Sequence, residues 1–422
     1  MGILRCPFPC RRAEDSTHQS PSSHLHSESS SSSSLYSQSS LPSVPSLTPP
    51  PHDQPAASRH HCAATLRAHS SHIFSLSLAG KHLFSGTSEG ELRIWPRDPS
   101  PASTLHGTAV ASTNSAVKAL AVLGGKLFTA HQDHKIRVWK MDLDAGSGGN
   151  QQFKCVATLP TVQDRVARLF FAKNYVEVRR HKKCTWVHHV DTVSGLAVSR
   201  DGYLLYSASW DRTFKVWRTA DFKCLESVRN AHDDAINALA LSTDGFVYTG
   251  SADKKIKVWK KQEGEEKHSL VATLEKHKSA VNALALSTDG SVLYSGACDR
   301  SIIVWEKGCG GGGGGEYMAV AGALRGHGKA ILCLAVVADV VFSGSADKTV
   351  RIWRRTVERS YCCLAVLEGH RGPVKCLTAA VDGSCSSSGD SNSCSGNGTC
   401  YKVYSGSLDC DIKVWQIWVP SL

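Results

Sequence analysis

Serine, histidine and aspartate recur together along this 422-residue chain. In one pocket, those three side chains activate a nucleophile: the acid orients the imidazole, and the imidazole takes the hydroxyl proton. Here they keep fixed offsets from seven tryptophans, Trp95, Trp139, Trp217, Trp259, Trp305, Trp353 and Trp415. Six residues before each stands an acid: Glu89, Asp133, Asp211, Asp253, Asp299, Asp347 and Asp409. Ten residues before each stands a hydroxyl: Ser85, Thr129, Ser207, Thr249, Ser295, Ser343 and Ser405. Further upstream stand His69, His189, His232, His277, His327 and His370, with Thr113 in the corresponding place of the second unit. A triad acts once, at one substrate pocket, so seven copies read as a repeated structural lock. No Gly-rich phosphate loop, nucleophile elbow or carboxylate pair stands apart from the repeat. An enzyme is therefore not expected, and no catalytic, cofactor-binding or metal-binding residue is assigned.

The elements that carry these residues are short. Each tryptophan ends a phrase such as GELRIW, HKIRVW, RTFKVW or KTVRIW. Segments such as INALAL, VYTGSA and IKVW alternate apolar and small or polar residues, the period of a half-buried strand. The tryptophan spacings are 44, 78, 42, 46, 48 and 62 residues. Four lie near one period of roughly 40–45 residues, and the two long ones are a period plus an insertion. An all-β chain of repeated antiparallel blades follows.

The recurring His, Ser/Thr, Asp and Trp resemble the WD40 family, over about residues 62–422. More narrowly, DRVARLFFAKNYVEVRRHKK, YSASWDRTFKVW and AHDDAIN are similar to plant JINGUBANG-like WD40 proteins. WD40 domains of myosin heavy chain kinases are also similar, but no kinase domain fits in this chain. The resemblance implies a seven-bladed β-propeller in which Asp, His, Ser/Thr and Trp hydrogen-bond in series within each blade. Glu89 and Thr113 depart from that pattern, so the first two blades should be less tightly locked. It also implies circular closure, with Cys62–Arg67 as the outer strand of the seventh blade and Trp418 packing near the seam. The function it implies is a protein-binding scaffold or adaptor, in the setting of plant signalling or transcriptional regulation. Receptors of cullin-type ubiquitin ligases resemble one another in carrying Asp after the blade tryptophan. Here the followers are Pro96, Lys140, Arg218, Lys260, Glu306, Arg354 and Gln416, so that motif is absent. The four basic followers could ring the face opposite the histidines, and association with nucleic acid through basic surface is the remaining alternative.

Residues 1–61 hold 17 serines and nine of the 15 prolines, a composition with too little apolar surface to offset ordering entropy. A disordered arm is expected there, followed by the propeller at 62–422, with insertions at about 160–188, 308–315 and 383–400. The formal charge of +11 sits entirely outside the arm, whose four basic and four acidic residues cancel. No run approaches the roughly 20 apolar residues of a membrane span. Sixteen cysteines without a CxxC pair read as reduced thiols, consistent with a cytoplasmic or nuclear protein. Gly2, Cys6 and Cys10 are the one hint of acylation and hence of a membrane.

Candidate partner contacts lie on the face that carries the histidines: Trp210 first, then His72, Asp191, Asp233, Asp234, Lys278, Lys329 and Arg371. The insertion at 160–188 carries seven basic residues against two acidic ones. An ordered excursion is expected, with its aromatics against the propeller. Its cluster Arg179, Arg180, Lys182 and Lys183 suits an acidic protein partner or an import signal. Other proteins are thus the expected partners, nucleic acid and membrane are not, and the propeller is expected to be monomeric.

Overall fold

A single repeat unit has no partner for its apolar face, and the fold solves this by stacking units in a ring. The computed structural model describes residues 44–48, 59–98, 107–141, 153–170, 172–179, 182–262, 264–308, 317–356, 359–382 and 398–421. These residues form seven antiparallel four-stranded sheets and one two-stranded hairpin. Blades 1 to 6 are each continuous in sequence, over 73–112, 117–159, 193–228, 236–274, 281–324 and 331–367. Within each, strands a, b, c and d pair in chain order. The seventh takes strands a to c from 374–420 and strand d from Arg59–Leu66. Leu66 pairs with Ile412, Cys62 with Trp415 and Arg59 with Trp418, so the outer strand begins three residues earlier than Cys62. The expected arm also contributes residues 44–48, which lie against blades 5 and 6.

The seven a strands touch one another in sequence around the ring, the last meeting the first. Each begins with a fully buried β-branched residue: Ile73, Val117, Val193, Ile236, Val281, Ile331 or Val374. That residue packs on strand b of the preceding blade, where five blades carry glycine and two carry Ala130 and Ala208. A Cβ at Gly296 would lie 2.4 Å from Ile331 Cγ2, and one at Gly406 would lie 2.6 Å from Ile73 Cγ2. Polar stitches reinforce the ring. Ser194, Asn237 and Asn282 donate to the carbonyls of Ile236, Val281 and Ile331 in the next blade, at 2.5, 3.0 and 2.8 Å. The apolar core is accordingly divided into clusters that run from one blade to its neighbour, such as Phe342 and Val350 with Val403 and Trp415.

Inside each blade the tryptophan indole donates to the strand-b hydroxyl at 2.8–2.9 Å. In six blades that hydroxyl meets histidine Nε2 at 2.8 Å. The same histidine's Nδ1–H faces a carboxylate at 2.7–3.0 Å. In blades 3 to 7 the acid is Asp211, Asp253, Asp299, Asp347 or Asp409, as spaced in the sequence. Burial opposes the Asp253 carboxylate, but His232 and the N–H groups of Lys255 and Asp233 outweigh it and hold its pKa at about 2.

The first two blades differ from expectation. In blade 1 the acid is Glu91, not Glu89: Glu91 Oε2 meets His69 Nδ1 at 2.7 Å, and Arg93 steadies its other oxygen at 2.8 Å. The longer glutamate reaches from the first position of strand c, where an aspartate in the turn would otherwise serve. In blade 2, Thr113 takes no part in the relay; its hydroxyl is placed against the carbonyls of Gly90 and Ser115. The imidazole there is His131, two residues along strand b from Thr129, with Nε2 at 2.6 Å from the Thr129 hydroxyl. Its Nδ1–H donates to the Ser115 carbonyl at 3.2 Å rather than to a carboxylate. Asp133, released from the relay, forms a two-point pair with Arg137 at 2.5 and 3.2 Å.

Two outcomes are expected. Chains beginning at Ser58 and at Ala68 differ by strand d of blade 7; the shorter should aggregate and melt lower, because it bares the edge of strand c. Equal melting of the two would remove the closure argument. His131→Ala should cost roughly 1–3 kcal/mol at neutral pH through lost hydrogen bonds, and Thr113→Ala less. Burial, with Arg137 nearby, holds the His131 pKa down at about 4. Protonation therefore favours the unfolded chain, and this contribution is complete above about pH 6.5 and drains away as the pH falls to about 4. Denaturant titrations should show the gap between wild type and His131→Ala narrowing across that window; a constant gap would remove His131 from the relay.

Candidate functional site

The relay hydroxyls Ser85, Thr129, Ser207, Thr249, Ser295, Ser343 and Ser405 are all fully buried. A nucleophile closed to substrate does no chemistry, so these groups hold blades and the candidate site lies on the surface they support.

The turns between strands b and c, and the loops that carry the histidines, lie at one end of the ring, since the relays join them. Trp210 sits there half-buried, 5.7 Å beneath the Lys118 ammonium, which also lies 4.1 Å from the centre of Phe74. His72, Asp233, Asp234, Lys278, Lys329 and Arg371 are exposed on the same end, and Asp191 is half-buried. His72 Nδ1 donates to the Leu408 carbonyl at 2.6 Å, joining blades 1 and 7. Asp233 lies 3.8 Å from Lys255.

Sequence reasoning missed a further set. The residue after the turn aspartate has positive φ in blades 2 to 7, and it is His134, Arg212, Lys254, Arg300, Lys348 and Cys410. Arg212, Lys254, Arg300 and Lys348 are exposed and have no ion pair among the described residues. The signal was the cation directly following Asp, in a place where the left-handed backbone favours Gly or Asn. At the opposite end two of the four basic followers, Arg218 and Arg354, are paired with carboxylates, while Lys140 and Lys260 have no ion pair among the described residues. Arg218 pairs with Asp221, Arg354 with Asp339, Arg355 with Glu306 and Lys307 with Asp244.

The insertion at 160–188 is an ordered excursion between blades 2 and 3. It forms helix α1 (Val162–Leu169), a short 3₁₀ turn, and a hairpin of Tyr175–Arg179 with Lys182–Thr185. Thr161 caps the helix by accepting from the Asp164 N–H at 3.1 Å. The helix packs with its charges inward. Asp164 is buried, accepts from the Cys224 N–H of blade 3 at 2.7 Å, and pairs with Arg168 at 2.5 Å. The Arg168 guanidinium lies 4.7 Å from the Trp186 ring and donates to the Cys224 carbonyl. With that side taken, the apolar residues point out: Val162, Val166, Leu169 and Phe170 are 67, 48, 48 and 82% exposed. Phe170 and Tyr175, expected against the propeller, are exposed instead, because an ion pair holds the contact, and Phe171 lies outside the described residues. The side chains of Arg179, Lys182 and Lys183, and all of Arg180, lie outside the described residues.

Under the insertion lies a cavity of about 650 Å³, lined by His134, Lys135, Pro160, Arg165, His188 and Asp191 among others. Its lining balances Lys135 and Arg165 against Asp133 and Asp191, and Arg165 Nε is buried without a hydrogen-bond partner among the described residues. Burial lowers the His188 pKa, and Arg165 and Lys215 add to that effect. Among the described residues no three metal-ligating side chains cluster.

The WD40 family, described as "WD domain, G-beta repeat", matches residues 60–96, 181–218, 222–260, 268–306, 319–354 and 361–416. The match passes over 97–180, which holds the blade with the displaced histidine. Among curated relatives, Arabidopsis thaliana Protein ROOT INITIATION DEFECTIVE 3 is 31% identical over 45% of this chain and 45% of its own length. Rice Zinc finger CCCH domain-containing protein 17 is 25% identical over 50% of this chain and 48% of its own. Human Striatin-4 is 26% identical over 51% of this chain and 31% of its own. The chain spans under half the length of each. The WD40 β-propeller domain of Doa1 superposes with a TM-score of 0.59 at 19% identity, covering 84% of this chain and 96% of that one. Six matched units in one closed seven-bladed ring place this chain in the WD40 repeat family, whose propellers generally serve as protein-interaction scaffolds.

Proposed function

We propose that this chain is a non-catalytic scaffold that recruits a protein partner through the outward face of helix α1, assisted by the end face around Trp210. One observation carries the reading: the helix buries Asp164 and Arg168 and exposes Val162, Val166, Leu169 and Phe170. Contiguous apolar surface held rigidly in the open marks an interaction site, and here the fold orders it with an ion pair and a cap. The basic hairpin sequence beside the helix favours an acidic partner surface. Trp210 supplies the amphipathic ring favoured at interface centres. Plant relatives and the JINGUBANG-like resemblance support a place in plant signalling or transcriptional regulation, in the cytoplasm or nucleus.

The test is Val166→Ser with Phe170→Ser, alongside Trp210→Ala. Surface changes of the first kind should move stability by no more than about 0.5 kcal/mol. Partner recovery from native tissue should fall sharply for the double variant and partly for Trp210→Ala. A folded double variant that recovers the same partners as wild type would defeat the helix as the recruiting face. A large drop in melting temperature for Trp210→Ala would place that side chain in packing.

A further inference from the structure

The rim of the propeller between blades 5 and 6 already holds a short peptide, the chain's own residues 44–48. Strand d is the outer strand of each blade, so its free edge presents N–H and C=O groups to any extended segment. Val44-Pro45-Ser46-Leu47-Thr48 uses that edge. The Ala323 N–H donates to the Pro45 carbonyl and the Leu47 N–H donates to the Ala323 carbonyl, both at 2.9 Å, in a parallel bridge. Across the junction, the Tyr361 N–H of blade 6 donates to the Leu47 carbonyl at 2.9 Å. Arg325 closes one end by donating to the Val44 carbonyl at 2.9 Å.

Two side chains anchor the segment, each in a different core. Leu47 packs with the cluster of Leu324, Val341, Trp353 and Tyr361, and Val44 with that of Trp305 and Met318. Leu47 fits because position 322 is glycine: a Cβ there would lie 2.4 Å from Leu47 Cγ. Pro45 lends only its carbonyl, so its missing N–H costs nothing, and its ring pre-extends the chain. Ser46 is exposed, and its hydroxyl meets Thr48 of the same segment at 2.9 Å rather than the propeller. The socket therefore reads apolar-Pro-x-Leu, with backbone pairing for affinity and two pockets for selection.

We infer that this blade 5–blade 6 rim is a β-addition socket for an extended apolar-Pro-x-Leu segment of another protein, with residues 44–48 as a displaceable resident. Among the described residues, 44–48 are the part of the arm that occupies this rim, and attachment by tether gives them a high local concentration. A partner segment must outcompete that resident, which makes the arm a built-in competitor.

The probe is a fluorescent peptide with the sequence of residues 41–50, titrated into the full chain and read by anisotropy. Leu47→Asp in the full chain empties the Leu47 pocket; Leu47→Ala does so more gently and serves if the first variant melts early. The released chain should bind the peptide at least tenfold more tightly than wild type. A peptide with Asp at the leucine position should not bind. Gly322→Leu added to the released chain should abolish binding while the melting temperature stays near that of its parent. Equal peptide binding by wild type and both released chains would overturn the proposal, as would equal binding of the Asp peptide. A wild-type dimer that Leu47→Asp abolishes would reassign the socket to a second copy's arm and overturn the assignment to a separate partner.

Discussion

Everything on the surface of this propeller depends on a buried imidazole whose two nitrogens are both satisfied. A histidine in a dry interior is costly unless each ring nitrogen finds a partner. Six blades meet that demand with a hydroxyl on one side and a carboxylate on the other, and the carboxylate also gathers turn N–H groups in five of them. The relay thereby joins the loop before strand a, strand b, the turn into strand c and the end of strand c. Four connections that would otherwise drift become one rigid unit, and the loops at that end of the ring can afford unusual residues. Cations with positive φ at Arg212, Lys254, Arg300 and Lys348 are an example.

Blade 2 shows that the demand matters more than the residues that usually meet it. With Thr113 in place of the loop histidine, His131 supplies the imidazole from within strand b, and a backbone carbonyl replaces the acid. The freed Asp133 is taken up by Arg137. Blade 1 makes the smaller adjustment, shifting the acid by two residues to Glu91. In both cases the indole and the hydroxyl stay where they are in the other blades.

Both ends of the ring carry cations without an ion pair among the described residues: Arg212, Lys254, Arg300 and Lys348 at the relay end, and Lys140 and Lys260 at the other, where Arg218 and Arg354 are paired. The insertion adds a third surface of a different kind. Its helix is pinned by Asp164 and Arg168, so its apolar stripe has nowhere to go but outward. A scaffold with apolar, cationic and strand-edge surfaces in separate places can hold more than one segment at a time.

The sequence by itself determined the number of blades, the closing strand from the N-terminal side and the relay residues of blades 3 to 7. The blade count and the relay positions follow from local periodicity and from offsets that repeat, because each blade solves the same packing problem; the closing strand follows from the WD40 resemblance. What repeats cannot convey is which group fills a vacancy once a blade departs from the pattern. Glu91 and His131 were chosen by reach and distance in three dimensions. The insertion helix is another such case: its apolar residues looked destined for the core, until Cys224 of blade 3 claimed Asp164. The clearest case is Val-Pro-Ser-Leu, which occurs at 44–47 and again at 419–422. In the second, Val419 and Pro420 continue strand c and pair with Thr399 and Gly398. In the first, inside a stretch whose serine and proline content argued for disorder, the same residues meet an open strand edge and a glycine with room for leucine. Composition describes what a segment can bury alone; only the tertiary structure supplies the surface it is buried against.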